Sequence, residues 1–392
     1  MTAETIKVGI IAGEVSGDLL GGDLIAALRK AHDGRIELVG VGGEALERQG
    51  LKSLFDFSEL SIMGISQVLK RLPSLLRRIR QTADALVAAR PDLLVIIDSP
   101  DFTHRVARRV RKALPDLAVV NYVCPSVWAW KEERAPRMRA YVDRVLALLP
   151  FEPTAMERLG GPVTTYVGHR LIGDADVQRV RAARLARSTG ETGGKTCLLL
   201  PGSRSTEISR LLPVFGEMAA ELSARNAGMR FLLPTVPRQE ALVRRLTADW
   251  PNPPQITITT DEKWQAFAAA DAAIAASGTV ILELALARVP VVSTYRFDWI
   301  ANIFLRRVKV WTAAIPNLIA DYAVVPEYLN EQVRPGVLTR WFERLSADTM
   351  ERRAMLEGYD LVHARMQTER PPGETGAAVI LDLLATKKPG RN

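Results

Sequence analysis

The chain has 392 residues, of which 47% are hydrophobic and 24% are charged, and a formal net charge of +8. At roughly 100–200 residues per domain, this length predicts two domains, and the composition excludes a disordered chain. The positive charge indicates an acidic partner, which could be nucleic acid, anionic lipid or a phosphorylated substrate. Two cysteines without a CxxC spacing and four histidines, none of them four residues apart, predict neither a disulfide framework nor a metal site.

The N-terminal residues MTAETIKVGI pass directly into an apolar segment and include an early acid, which predicts that no signal peptide is present. No apolar run reaches the roughly 20 residues that a membrane-spanning helix needs. These features, together with unpaired cysteines, predict a cytoplasmic protein.

Strands and helices alternate along the chain in two successive runs. The first run has predicted strands at 6–12, 37–43, 93–97, 117–123 and 142–150, with helices at 18–30 and 66–90. The second run has a strand at the start of KTCLLLPGSR and four short strands in MRFLLPTV, QITITT, AAIAAS and PVVSTY. Because such alternation forms parallel sheets with right-handed crossovers, the sequence predicts an α/β fold with two Rossmann-like domains facing a central cleft. We place them at 1–168 and 169–347, followed by C-terminal helices within 348–392 that pack back on the N-terminal domain.

The turn AGEVSGDLLGGDL after the first strand is a candidate site, because ligands of open α/β sheets bind at the carboxyl ends of the strands. The turn lacks the GxGxxG pattern, and Glu14 would repel a pyrophosphate, so a dinucleotide site is disfavoured. The alternative is an ordinary tight turn in which Ser16 or Asp18 is the helix N-cap.

The strand-to-helix turn in LLPGSRSTEISRLL contains Gly202, Ser203 and Arg204. Free backbone N–H groups, hydroxyls and a guanidinium group together suit a phosphate. We therefore predict that this turn contacts a phosphorylated ligand.

The segment AAIAASGTVILELALARVPVV predicts a strand, then Ser277, Gly278 and Thr279, then a helix. Gly278 lets a ligand approach the backbone, and the helix N-terminus offers N–H donors to a diphosphate. Glu283 lies one turn further on the same side of the helix, where a carboxylate can accept both hydroxyls of a ribose. This pattern is typical of the nucleotide-sugar site of GT-B glycosyltransferases. The alternative is that Thr279 caps the helix and Glu283 is solvated.

Asp98 in VIIDSPDF ends an apolar strand, where its carboxylate can act as general base on a sugar hydroxyl. The alternative is that Asp98 only caps the next helix, with Pro100 in its first turn.

Seven segments carry a family resemblance: AGEVSGDLLGGDL, LSIMGISQVL, DSPDFTHRVARRVR, YVCPSVWAWKEERAPRMR, LLPGSRSTEI, SGTVILELAL and IPNLIADYAVVPEYLNE. Their order and spacing over about 6–384 resemble the lipid-A-disaccharide synthase family, and SGD, PSVWAWK and IPN are the most specific parts. Related GT-B enzymes share only the Gly-Thr-Glu pattern of the donor helix. Cys124 and Val15 stand where the family often has serine and alanine, away from the expected chemistry.

The resemblance implies an inverting, metal-independent GT-B hexosyltransferase without a cofactor. UDP-2,3-diacylglucosamine would donate its sugar to the 6-hydroxyl of 2,3-diacylglucosamine 1-phosphate (lipid X), giving a β-1',6-linked disaccharide 1-phosphate and UDP. Asn317 of the IPN motif and Arg204 are implied as donor-side contacts, and Glu14, Ser16 and Met63 as acceptor-side residues. The N-terminal domain would then be the acceptor and membrane side, and the C-terminal domain the UDP-sugar side.

Acylated substrates imply an enzyme that works peripherally at the cytoplasmic face of the inner membrane. The predicted helix at 65–80 has apolar residues at 3–4 spacing and basic residues on the other side, as in a helix that lies in a membrane interface. The alternative is that its leucines pack on the sheet and its arginines are solvated. Trp128 and Trp130 could contact lipid beside it, although burial in the N-terminal core is favoured. Nucleic acid is not expected as a partner, and a homodimer is left open.

Three other functions remain as alternatives. A GT-B transferase with another lipid-linked acceptor would consume soluble UDP-GlcNAc. A Rossmann dehydrogenase would bind NAD(P)H, which the missing GxGxxG disfavours. A non-catalytic nucleotide binder at the membrane surface would leave Asp98 without a role.

Overall fold

The structure is a computed structural model that describes residues 5–60, 65–186, 194–297 and 309–387, with side chains given except at 58 and 65–72. The chain divides into two compact units, one formed by Met1–His169 with Thr368–Asn392 and the other by Arg170–Gln367. Each unit contains a six-stranded sheet in which every described strand pairing is parallel.

The first unit begins with a strand that matches its predicted bounds. Its elements are β1 (Ile6–Ala12), α1 (Val15–Ala31), β2 (Ile36–Val41), α2 (Glu44–Arg48), α3 (Ile65–Ala89), β3 (Leu93–Ile97), α4 (Pro100–Ala113), β4 (Ala118–Tyr122), α5 (Arg134–Met138), β5 (Arg144–Ala147), α6 (Glu152–Arg158) and β6 (Val163–Tyr166). The strand order is β2-β1-β3-β4-β5-β6.

The second unit repeats the alternation of strands and helices. Its elements are α7 (Ala175–Ala186), β7 (Thr196–Leu200), α8 (Ser205–Arg225), β8 (Arg230–Pro234), α9 (Glu240–Thr247), β9 (Gln255–Thr257), α10 (Thr260–Ala269), β10 (Ala272–Ala276), α11 (Thr279–Leu286), β11 (Val291–Tyr295), α12 (Ile315–Ala320), β12 (Glu327–Leu329), α13 (Pro335–Leu345) and α14 (Met350–Met366). The strand order is β12-β11-β10-β7-β8-β9. A last helix, α15 (Pro372–Lys387), belongs to the first unit.

The central strands are continuous apolar runs because both faces of the sheet are covered. In β3, Leu93, Val95 and Ile97 belong to one buried apolar cluster, whereas Leu94 and Ile96 belong to another. Successive side chains of a strand point to opposite faces, so one strand contributes to two cores. A strand that is buried on both faces loses the polar alternation of a half-exposed strand.

The structure corrects the predicted elements at two sheet edges and at one helix start. The strands β6 and β12 were not predicted: β6 has the sequence VTTY and is only partly buried, and β12 has three residues. Neither forms the apolar run on which the prediction relied. Helix α1 begins at Val15, three residues before the predicted start.

The C-terminal segment is divided between the units, so of the helices within 348–392 that were predicted to pack back on the N-terminal domain, only the last does so. Helix α14 belongs to the second unit, whereas α15 packs on α1 in the first. Gly373 and Gly376 permit this close packing, since a Cβ at Gly373 would lie 2.8 Å from the Asp23 carbonyl oxygen and one at Gly376 would lie 3.0 Å from Leu24.

In each unit, the order of the strands places two strand-to-helix turns next to each other. In a parallel sheet all carboxyl ends lie along one edge, and ligands bind where the strand order reverses. The reversal falls between β1 and β3 in the first unit and between β7 and β10 in the second. Within the described ranges, no helix combines the length and apolarity needed to cross a membrane.

Candidate active site

Asp98 and Ser99 form a strained turn between β3 and α4. Their φ angles are 53° and 42°, in the left-handed region that non-glycine residues rarely adopt. Ser99 is the N-cap position of α4, and the Asp98 carboxylate accepts a hydrogen bond from the Ser99 N–H at 2.8 Å. The alternative interpretation, in which Asp98 caps the helix, is therefore wrong. Strain of this kind at a strand end is characteristic of functional sites.

The glycines of the β1–α1 turn make room for this strained turn. A Cβ at Gly13 would overlap the Ser99 side chain, and a Cβ at Gly17 would lie 3.6 Å from the Asp98 Cβ. The exposed residues Glu14 and Ser16 lie between these two glycines, so the turn that carries them packs against the turn of Asp98. The SGD pattern thus reflects close contact between neighbouring strand ends.

Asp18 has a structural role that the sequence did not indicate. Glu14 occupies the N-cap position of α1, so neither Ser16 nor Asp18 is the N-cap. Asp18 is 4% exposed and accepts hydrogen bonds from the N–H groups of Gly43, Ala45 and Leu46 at 2.7, 2.8 and 3.3 Å. Its carboxylate therefore holds the start of α2 against α1. The predicted acceptor-side residue Met63 lies outside the described residues.

The second unit contains a pocket of 650 Å³ at the carboxyl ends of β7 and β10. Six of the predicted donor-side residues line it together: Gly202, Ser203, Arg204, Ser277, Gly278 and Thr279. Gly278, rather than Thr279, is the N-cap position of α11, and a Cβ there would meet no atom within 4 Å. The backbone at the start of α11 is therefore open to a ligand.

Glu207 occupies the place that the sequence assigned to a phosphate. Its carboxylate accepts hydrogen bonds from the N–H groups of Ser203 and Arg204 at 3.2 and 3.3 Å, and it pairs with the Arg204 guanidinium at 2.9 Å. The prediction that these N–H groups are free is wrong. An acid at the third position of a helix is a capping-box signal, and it could have revealed Glu207 in the sequence.

Glu283 is paired rather than solvated. Its carboxylate contacts the Lys263 ammonium group, and Lys263 extends from α10 to line the pocket. The side chains of Glu283 and Lys263 are 20% and 29% exposed. Lys263 lines the pocket, whereas Glu283 is not among its lining residues and lies behind Lys263 as its partner. Sequence reasoning missed Lys263, because nothing in TDEKWQAF indicates which helix it will face.

The predicted contact between Asn317 and the donor is also wrong. Asn317 is 1% exposed, and its amide nitrogen donates to Thr312 Oγ1 at 3.0 Å and to the Val325 carbonyl at 2.9 Å. Its amide oxygen accepts from the N–H groups of Val324 and Val325 at 2.9 and 2.7 Å. These four bonds use the full capacity of the amide, so Asn317 holds the 324–325 backbone instead of a ligand.

The WAWK motif places one tryptophan inside the first unit and one at its surface. Trp128 is half-buried, packs edge-to-face on Phe151 at 4.9 Å and donates to the Glu152 carboxylate at 3.2 Å. Trp130 is 41% exposed, with the Lys131 ammonium 3.9 Å from the centre of its ring. Burial raises the pKa of Glu152 to about 7.

The described part of helix α3 is attached to the core along one side. Ile79 is 1% exposed and Leu75 packs against the same apolar cluster. Arg78 pairs with Glu59 at 2.6 Å and lies over the Phe55 ring at 4.5 Å, so it belongs to the fold. Leu76, Arg77 and Arg80 are exposed, and only such residues could face a membrane.

Among the described residues, no group of three His, Cys, Asp or Glu side chains is placed to hold a metal ion. The cationic groups of the donor pocket are instead the Arg204 and Lys263 side chains, and each of them has a carboxylate partner.

The profile of the family described as Lipid-A-disaccharide synthetase matches residues 8–364. The lipid-A-disaccharide synthase of Nitrobacter winogradskyi is 46% identical over 383 residues, which cover 96% of each chain. That of Rhodopseudomonas palustris strain HaA2 is 46% identical over 388 residues, or 98% of each chain.

Two solved structures show the same fold at low identity. An S. aureus MnaA–UDP co-structure has a TM-score of 0.59 at 12% identity, covering 96% of this chain and 95% of that one. MurG of Acinetobacter baumannii has a TM-score of 0.55 at 15% identity, covering 98% and 99%. The predicted GT-B fold class is confirmed. With a family profile that spans nearly its whole length and relatives at 46% identity, the chain belongs to the lipid-A-disaccharide synthase family.

Proposed function

We propose that this chain transfers the sugar of UDP-2,3-diacylglucosamine to the 6-hydroxyl of lipid X, with inversion at the anomeric carbon. The products are the β-1',6-linked tetraacyl disaccharide 1-phosphate and UDP. The observation that carries the donor side of this proposal is the second-unit pocket, because it collects six residues that were predicted separately from two turns about 75 residues apart.

In the proposed mechanism Asp98 is the general base. Its carboxylate takes the proton of the acceptor 6-hydroxyl while that oxygen forms a bond to the anomeric carbon. The bond from the anomeric carbon to the donor phosphate breaks at the same time, and the electron pair leaves with UDP. The strained backbone at Asp98 supports this role, because it projects the carboxylate from the end of a rigid buried strand.

The donor pocket acts on the leaving diphosphate. The open N-terminus of α11 and the Arg204 and Lys263 side chains provide positive charge where negative charge develops on UDP. Glu283 accepts the ribose hydroxyls. Binding a diphosphate requires Arg204 and Lys263 to share or exchange their carboxylate partners, Glu207 and Glu283. Because these groups supply the positive charge, we propose that no metal is needed, and activity should be unchanged by EDTA.

The test is a reaction of the purified protein with both acylated sugars, in which disaccharide and UDP are measured by mass spectrometry. Equal consumption of soluble UDP-GlcNAc would favour the alternative transferase with another acceptor. A strict requirement for a divalent ion would contradict the metal-free mechanism.

We also propose peripheral binding at the cytoplasmic face of the inner membrane through the exposed side of α3. Arg78 is excluded from this surface because it pairs with Glu59, which leaves Arg77 and Arg80 among the arginines with described side chains. Each basic residue near an anionic surface contributes about 1 kcal/mol. An R77Q/R80Q variant should therefore bind anionic vesicles roughly thirtyfold more weakly at low salt.

The control for vesicle binding is R245Q/R340Q, which removes the same charge from the second unit. Co-sedimentation with anionic vesicles at low and high salt compares both variants with the wild type. If R77Q/R80Q binds as well as R245Q/R340Q, the exposed arginines of α3 are only a solvated surface.

A further inference from the structure

The first unit contains a pocket of its own, to which the proposed reaction assigns no role. It has a volume of 380 Å³ and is lined by residues of α4 from Pro100 to Arg108, the turn at 125–127 and helix α5. We call it the arginine pocket after Arg105, Arg108, Arg134 and Arg137, which line it together with Trp130 and Tyr141. Asp101 is the one carboxylate among its lining residues, so the wall of the pocket is strongly positive.

The floor of the arginine pocket is held by hydrogen bonds to two buried side chains, those of Tyr141 and His104. Arg108 donates to the Tyr141 hydroxyl at 3.1 Å, and its guanidinium lies over the Tyr141 ring at 4.7 Å. The Tyr141 oxygen also lies 3.0 Å from His104 Nδ1. An arginine can only donate, so the tyrosine hydroxyl accepts from Arg108 and also shares a hydrogen bond with His104 Nδ1.

His104 is therefore neutral and part of a fixed support. Burial, with further contributions from Arg108 and Arg134, lowers the pKa of His104 to about 4. A neutral imidazole shares a hydrogen bond with the Tyr141 hydroxyl through Nδ1. Because Tyr141 and His104 are only 4% and 8% exposed, Arg108 is oriented by groups that cannot move away from it.

The other three guanidinium groups lack such partners. Arg105, Arg134 and Arg137 have no carboxylate within 4.0 Å among the residues that the structure describes. Elsewhere in the same unit Arg78 and Arg111 do pair, with Glu59 and Asp143. Like charges gathered around a concave space repel one another unless an anion neutralises them, and guanidinium groups match the oxygen geometry of phosphate.

The position of the arginine pocket relative to Asp98 indicates which anion it receives. Its lining begins at Pro100 and Asp101, two and three residues after Asp98, and consecutive Cα atoms are only about 3.8 Å apart. The donor diphosphate has its own pocket in the second unit. We propose that the arginine pocket binds the phosphate monoester of the acceptor and thereby presents the acceptor hydroxyl to Asp98. This inference rests on the proposed function.

The test replaces Arg105 and Arg137 by glutamine, since both are exposed and neither has a hydrogen bond that the fold requires. Arg108 is left in place because it supports Tyr141. The matched control is R109Q/R139Q, which removes two exposed charges next to the same positions but outside the pocket. A charge-assisted hydrogen bond contributes enough for a roughly tenfold effect or more. R105Q/R137Q should therefore raise the KM for lipid X about a hundredfold, with little change in the KM for the donor or in kcat.

A second substrate separates phosphate recognition from a general loss of charge. With a dephosphorylated acceptor, 2,3-diacylglucosamine, the wild type and R105Q/R137Q should have the same KM, since the group that the arginines bind is missing. The R109Q/R139Q control should behave as the wild type with both acceptors. An unchanged KM for lipid X in R105Q/R137Q would overturn the proposal. Equal losses with both acceptors, together with weaker sedimentation on anionic vesicles, would overturn it in favour of a membrane headgroup site.

Equilibrium binding keeps this test independent of turnover. Lipid X in detergent is titrated calorimetrically into the wild type and R105Q/R137Q, with inorganic phosphate as competitor. If the wild type forms no disaccharide yet binds lipid X far more tightly than the variant, the pocket assignment stands and the proposed reaction fails. Equal binding by both proteins would overturn the pocket assignment whatever the activity.

Discussion

Replacing Asp98 by asparagine isolates its charge from its structural role. The asparagine side chain in an Asp98→Asn variant would keep an oxygen that accepts the Ser99 N–H, and asparagine is one of the few residues that tolerate the φ of 53° found here. The variant should therefore fold normally. Because asparagine cannot accept a proton from the acceptor hydroxyl, kcat should fall about 10²- to 10⁴-fold.

Replacing Asp98 by alanine should give a similar loss of activity and a measurable loss of stability. A left-handed conformation costs an ordinary residue about 1–2 kcal/mol, and the lost hydrogen bond to Ser99 costs about 0.5–1.5 kcal/mol. The sum is about 1.5–3.5 kcal/mol. In a unit of this size each kcal/mol lowers Tm by roughly 2–4 °C, so Asp98→Ala should melt about 3–14 °C below the wild type.

The assay combines single-turnover formation of UDP with thermal unfolding of the same samples. Asp116→Asn is the control, because Asp116 is exposed near the opposite end of α4. Asp98→Asn should match it in Tm and lose activity, whereas Asp98→Ala should lose both. If Asp98→Asn turns over at close to the wild-type rate with a wild-type Tm, Asp98 is not the base and the reasoning from the strained turn is refuted.

Three further predictions concern buried or paired side chains. Glu283→Ala should raise the Kd for UDP about tenfold to a hundredfold, since a charge-assisted hydrogen bond to ribose is worth about 1.5–3 kcal/mol; an unchanged Kd in calorimetry would show that Glu283 only pairs with Lys263. Burial raises the pKa of Glu152 to about 7 from its ordinary 4.5, so its contribution to wild-type stability falls as pH rises from about 4.5 to about 7, because the unfolded state ionises first. The new side chain in Glu152→Gln cannot ionise, so the free energy of unfolding of this variant, relative to that of the wild type, should rise by about 2–3 kcal/mol between pH 5 and pH 8. A difference in the free energy of urea unfolding that does not change with pH would contradict this. Asn317→Ala should lower the free energy of unfolding by about 3 kcal/mol or more, because it leaves two buried N–H groups unpaired, while the Kd for UDP below Tm stays at the wild-type value; a weaker Kd without a loss of stability would restore Asn317 as a ligand contact.

The sequence by itself determined the alternation of strands and helices, the fold class and the turns that carry the candidate site, although it missed the edge strands β6 and β12. β1 and β3 were predicted with their observed bounds, because a strand buried on both faces is apolar along its whole length, and that property is local. The candidate sites at the ends of β3, β7 and β10 could be predicted once these strands were recognised, since the carboxyl ends of a parallel sheet lie along one edge, where ligands bind.

Only the tertiary structure decided which partner each polar side chain has. Glu207 reaches the N–H groups that were predicted to be free, Lys263 crosses from another helix to Glu283, and Asn317 is enclosed by backbone. The packing of Gly13 against Ser99, 86 positions apart along the chain, likewise depends on two strands lying side by side. Hydrogen bonds and ion pairs act over about 3 Å, and sequence periodicity indicates which face of an element is buried but not which distant group will lie within that distance.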